Sequence, residues 1–141
     1  MNSVARGLAA VLLGFIIGSA VNMSLVILGP MVIPPPPGVD LTTPEGLEKG
    51  MPLLEARHFL FPFLAHALGT LVGAFVAAKI AVSRKMAFAL GIGLFFLLGG
   101  VVNIVLLGSP LWFNVIDLVL AYIPMAFIGG TFATKGVNRG V

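Results

Sequence analysis

Phe15-Ile16-Ile17-Gly18-Ser19-Ala20-Val21-Asn22 aligns without a gap against Phe96-Leu97-Leu98-Gly99-Gly100-Val101-Val102-Asn103. With one insertion the match runs on, from Leu25-Val26-Ile27-Leu28-Gly29-Pro30 to Ile104-Val105-Leu106-Leu107-Gly108-Ser109-Pro110. A weaker echo pairs Gly73-Ala74-Phe75-Val76-Ala77-Ala78-Lys79 with Gly129-Gly130-Thr131-Phe132-Ala133-Thr134-Lys135. Apolar helices resemble one another by composition, but an asparagine inside such a run is uncommon. Its recurrence at matching places points to duplication. The expected fold is an all-α four-helix transmembrane bundle made of two tandem helical hairpins. The copies run in the same direction, so a pseudo-twofold axis would lie along the membrane normal.

Composition requires the membrane. Of 141 residues, 59% are hydrophobic and only 9% charged, against about 25% charged in soluble domains. A domain this small leaves much of its surface exposed and could not hide so much apolar area from water. Spans of about 20 apolar residues fit at 7–33, 55–82, 86–107 and 110–134. The chain is then one transmembrane domain, with hairpin repeat 1 over 1–82 and hairpin repeat 2 over 83–141. Arg6 ahead of an apolar run and Gly18-Ser19-Ala20 could mimic a cleaved secretory signal. The run continues to residue 33, too long for a signal core, so a span is expected instead.

Charge sets the orientation. Arg6, Lys79, Arg84, Lys85, Lys135 and Arg139 fall at the N-terminus, the second loop or the C-terminus. The acids Asp40, Glu45, Glu48, Glu55 and Asp117 all lie toward the other side, and only Lys49 and Arg57 break the sorting. Basic residues near span ends stay cytoplasmic, so both termini are expected inside and loop 34–54 outside. The net charge of +3 and pI near 9.8 form no basic stripe, so nucleic acid is not an expected partner.

Loop 34–54 opens with Pro34-Pro35-Pro36-Pro37-Gly38, which cannot continue a helix and should leave the bilayer as polyproline II. Thr42-Thr43-Pro44-Glu45 carries helix-start chemistry, with Glu45 placed for a capping box. A short surface helix to about Lys49 should follow, ended by Gly50. Pro52 suits the first turn of the second span, and Pro62 should kink that span. Phe59, Phe61, Phe63, Trp112 and Phe113 mark the outer boundary.

Gly14, Gly18 and Asn22 share one helix face, as do Ala65, Gly69, Gly73 and Ala77, and Gly99 is the counterpart of Gly18. Small residues let backbones approach where lipid gives no hydrophobic drive. Contacts within one chain and contacts with a second copy are both expected.

Asn22, His66, Asn103 and Asp117 come one from each span. Counted at about 1.5 Å per residue, all lie roughly 6–17 Å below the outer boundary. Ser19, Thr70 and Tyr122 join them if their faces agree. A shared polar cluster follows, with Asp117 as its costliest member: a carboxylate in a span costs about 2.5–3.5 kcal/mol on insertion scales. It must be protonated, paired or wet, and His66 is the obvious partner. Asp117 and His66 align with Phe61 and Tyr122, so the pair breaks the repeat's symmetry. Plainer readings stay open. Asp117 could be hydrated near a helix start, His66 a packing histidine, the asparagines interhelical glue, and His58 a headgroup-level residue.

No phosphate loop, dinucleotide fingerprint, HExxH or nucleophile elbow occurs. Cysteine is absent, and the two histidines have no ligand spacing suited to a metal, so neither cofactor nor metal is expected. The proline-rich turn after the first span, Phe63-Leu64-Ala65-His66-Ala67-Leu68-Gly69-Thr70-Leu71-Val72-Gly73-Ala74-Phe75 and Ser109-Pro110-Leu111-Trp112-Phe113 together resemble a group of small four-span bacterial membrane proteins. That resemblance implies a bacterial inner membrane and nothing catalytic. Small multidrug exporters differ by a first-span glutamate that is lacking here. Two functions are therefore weighed, the first as the expected one and the second as its alternative. One is a non-enzymatic accessory or structural subunit, self-associating or bound to a membrane complex. The other is a small proton-linked transporter or channel using Asp117 and His66.

Overall fold

Where proline and glycine fall decides where these apolar runs start, stop and break. The structure, a computed structural model, describes residues 2–135. Its helices are α1 (Ser3–Val32), α2 (Pro44–Gly50), α3 (Leu60–Ile80), α4 (Lys85–Leu107), α5 (Leu111–Leu120) and α6 (Ile123–Thr134). Short 3-10 turns occupy Met51–Leu53 and Ala56–Phe59, and there is no strand among the described residues. Four segments are long and apolar enough to cross a bilayer: Ser3–Val32, Ala56–Ile80, Lys85–Leu107 and Leu111–Thr134. Exposed Leu8, Ile16, Val105 and Leu111 clothe them, an apolar surface that only lipid can solvate. The chain is a multi-pass helical membrane protein. Arg139, counted above among the basic residues, lies outside the described residues.

Three local expectations are corrected. Thr43 supplies the threonine cap of α2, accepting from the Gly46 N–H at 3.0 Å. Thr42 turns back to Asp40 instead, through both its N–H and its hydroxyl, so Glu45 closes no capping box. Pro52 sits in its own 3-10 turn, ahead of the second span. Pro62 falls in the first turn of α3, where its missing N–H would have no helical partner anyway, and so it has no interior bond to break. The interior break comes elsewhere. The fourth span is interrupted at Ala121 and Tyr122, because Pro124 lacks an N–H and its ring crowds the carbonyl four residues back.

α3 is the central helix, packed against α1, α4 and α6, while α1 and α4 meet mainly through Phe15 against Phe95 and Phe96. The α1–α3 contact is the interlock of small residues that the sequence spacing predicts. A Cβ built on Gly14 would lie 2.8 Å from the Gly73 carbonyl oxygen, and one on Gly69 would lie 2.9 Å from the Asn22 Cβ. Gly14, Gly18, Gly69, Gly73 and Ala77 therefore pack within the chain. At the same end, Arg6 donates to the Ile80 carbonyl at 3.3 Å, tying the start of α1 to the end of α3. Ala74, Ala77, Ala78, Ala89, Ile92, Ala126 and Ala133, from α3, α4 and α6, make a closely packed core.

Gly99 departs from expectation. It is exposed and meets nothing within the chain, whereas Gly100 is buried against the Tyr122 ring. Adjacent helix positions lie about 100° apart, so only one of the two can face α6.

Candidate functional site

The break between α5 and α6 places two side chains where an unbroken helix would not. Asp117 lies in the last turn of α5, its carbonyl accepting from the Ala121 N–H at 2.9 Å. Tyr122 occupies the break itself, with φ −113° and ψ −80°. From there its hydroxyl donates to Asp117 Oδ2 at 2.8 Å. His66, on α3 and 51 residues away in sequence, places Nδ1 2.9 Å from both carboxylate oxygens. The His66 and Tyr122 rings stack with centroids 5.7 Å apart. The Asp117 side chain is 3% exposed and that of His66 18%.

An ionised carboxylate can only accept hydrogen bonds. With Asp117 ionised, it accepts from His66 Nδ1–H as well as from the tyrosine hydroxyl. That fixes the imidazole tautomer and leaves Nε2 as the ring's free acceptor. No described residue bonds to Nε2.

His66 and Asp117 form part of the wall of a cavity of about 340 Å³. Asn22, Asn103, His66 and Asp117 all line it, so the four polar residues expected at one depth do share one space. The apolar wall comes from Met23, Val26, Ile104, Leu107 and Phe113, and Leu41, Leu47, Met51 and Leu54 of the loop segment cover the end toward the proline turn. Ser19 and Thr70 do not line it. Thr70 is fully buried, and its Oγ1 has no partner. Tyr122 stands behind Asp117, out of the cavity. Among the described residues, no group of three histidine or acidic side chains could hold a metal ion.

Sequence spacing missed two contributors. His58, read as a headgroup-level residue, is instead a latch. Its Nδ1 accepts from the Glu55 N–H at 2.9 Å and its Nε2 donates to the Pro34 carbonyl at 3.0 Å, pinning the proline turn to the start of the second span. The Glu55-to-His58 spacing of an end-capping pair was its only local signal. Replacing His58 with alanine removes two bonds worth about 0.5–1.5 kcal/mol each. Amide exchange at Glu55 and through the loop should then speed up about fivefold or more; unchanged exchange would show that the latch does not hold the loop. Gly100 is the second omission: a Cβ there would strike the Tyr122 hydroxyl and lie 2.6 Å from its Cζ.

Aromatic contacts brace the same end. Phe59 meets Trp112 at 5.4 Å and Phe113 at 4.9 Å, centroid to centroid, joining the start of the second span to α5. Ser109 and Asn114 exchange hydrogen bonds across the turn before α5, which fixes the helix that carries Asp117. No known protein family, curated protein or solved structure matches the chain.

Proposed function

We propose that this chain is a small proton-linked transporter of a bacterial inner membrane, with the proline loop and the cavity on the outer side and both termini in the cytoplasm. The observation that carries the reading is a buried carboxylate held 2.9 Å from an imidazole on the wall of a cavity. The orientation rests on the sorting of Arg6, Lys79, Arg84, Lys85 and Lys135 to one side. A purely structural role would not require a carboxylate in the span, given its insertion cost of about 2.5–3.5 kcal/mol. Nor would it require a polar cavity beside that carboxylate.

Protonation of His66 at Nε2 turns the pair from a net negative site into a neutral ion pair without moving a helix. A site of alternating charge is what coupling a proton to a solute requires. The broken fourth span fits the same reading, since transporters form their sites at interrupted helices near the bilayer midplane. In this reading the two hairpins are duplicated halves about an axis along the membrane normal, and only one copy has acquired the acid. No bond-making or bond-breaking chemistry is assigned.

Reconstituted into proteoliposomes, the chain should carry a voltage-driven proton flux above that of protein-free vesicles. Asp117→Asn should bring that flux to background while helicity and detergent elution stay unchanged. An Asn variant with undiminished flux would refute the mechanism.

A second reading, that of a self-associating accessory subunit, draws on different residues. Gly91 and Gly99 lie on the exposed face of α4 with nothing near them, and α1 keeps most of its surface bare. A second copy or a membrane partner could pack there, and the two readings are compatible.

A further inference from the structure

We propose that the outer cavity binds a small amphiphilic ammonium ion in competition with a proton for His66 Nε2. This deepens the transport reading and rests on it. The cavity is chemically divided. Asn22, Asn103, His66 and Asp117 supply its polar groups, while Met23, Val26, Ile104, Leu107 and Phe113 supply an apolar wall. A molecule with one polar head and a short apolar body matches that division. The volume of about 340 Å³ limits the body to the small end of the usual range for ligand sites, about 300–1,000 Å³.

The sign of the head group follows from the hydrogen bonds. With Asp117 ionised and His66 neutral, the site carries one negative charge and one free acceptor, Nε2. The Asn22 and Asn103 amides also make no hydrogen bond to a described residue, so their oxygens remain available. An ammonium N–H satisfies the charge and the acceptors together. A neutral alcohol can donate to Nε2 but leaves the carboxylate uncompensated, and a carboxylate ligand meets like charge.

The covering loop agrees in sign, with Asp40, Glu45 and Glu48 against Lys49. The Thr42 hydroxyl and, with it, the Thr42 N–H hold the Asp40 carboxyl below the usual aspartate range, so that charge persists in mildly acidic surroundings.

One lone pair has two claimants. A proton on Nε2 removes the acceptor and cancels the net charge; an ammonium ion bound at Nε2 excludes the proton. Binding to the protonated site therefore releases one proton from His66 to water while the ligand keeps all of its own. The other titratable groups nearby do not compete. His58 is engaged with Glu55 and Pro34, Tyr122 donates to Asp117 from behind, and α1 and α4 contribute only the two amides.

Trp112 is the chain's single tryptophan and touches Phe59 and Phe113, both of which line the cavity. Its fluorescence can therefore report occupancy in the intact purified chain. Titrated with benzylammonium, benzyl alcohol and benzoate, the protein should bind the first at least about tenfold more tightly than the second, and the third not at all. Acidification should weaken benzylammonium binding by up to about tenfold per pH unit, the slope of one-for-one competition. Equal binding of alcohol or benzoate, or binding indifferent to pH, would overturn the assignment. The ligand series needs no substitution, so it does not depend on a variant folding. If proton flux depends on Asp117 yet benzyl alcohol is preferred, the cation inference fails and the transport reading stands.

Discussion

Replacing Gly18 with valine is expected to separate α1 from α3 and to cost the protein much of its stability. A Cβ alone would lie 2.7 Å from the Gly69 carbonyl oxygen and 3.1 Å from the Gly73 Cα. Both are backbone atoms, so no rotamer can relieve the contact and the helices must move apart. Overpacking ordinarily costs about 1–3 kcal/mol, and this site belongs at the upper end. Separation would also forfeit the neighbouring contacts at Gly14 and Gly73, because α3 is the main partner of α1. Asn22 would leave the cavity with it. Denaturation of the purified protein in SDS, followed by circular dichroism, should show a marked fall in the midpoint. A midpoint within error of wild type would mean that α1 does not dock as described.

Gly100→Val is expected to disable the site while leaving most of the bundle intact. The new side chain would occupy the space of the Tyr122 phenol, and the ring could not keep its hydroxyl on Asp117. Tyr122 is 1% exposed, so it has no easy alternative position. Asp117 Oδ2 would lose its tyrosine donor, and His66 would lose the ring it stacks against. A buried charge deprived of a hydrogen bond forfeits about 1.5–3 kcal/mol. Proton flux should fall at least about tenfold in Gly100→Val vesicles, with helicity close to wild type. Gly99→Val, one position along the same helix, supplies the control: its Cβ meets open space, and its flux should match wild type. Equal flux in both variants would remove Tyr122 from the mechanism. Loss of an oligomer in Gly99→Val alone would favour the self-association reading.

These neighbouring glycines show where sequence reasoning stopped. The alignment paired Gly99 with Gly18, and the packing uses Gly100. A repeat alignment registers residue identity along the chain, whereas a helix turns about 100° per residue. An offset of one residue is invisible to the first and decisive for the second. Likewise, the small residues of α1 and α3 were legible as two faces, but their spacing could not say that the faces meet each other and not a second copy. Pro62 and Pro124 make the same point about breaks. Both lie within apolar runs, and only the structure shows that the second span becomes a regular α-helix at Leu60, which turns one proline into a first-turn residue and leaves the other to divide a span.

By itself the sequence determined the solvent, the number of crossings and the depth of the polar residues. These depend on apolar run length and on position along a run, which are one-dimensional quantities. Asn22, His66, Asn103 and Asp117 could thus be placed at one level before any helix was packed. Tertiary structure alone decided that the four line one cavity, that His66 and Asp117 meet at 2.9 Å, and that Tyr122 completes the pair from a helix break. Those facts depend on the rotation of each helix about its axis, which close contacts at glycines set jointly across helices distant in sequence.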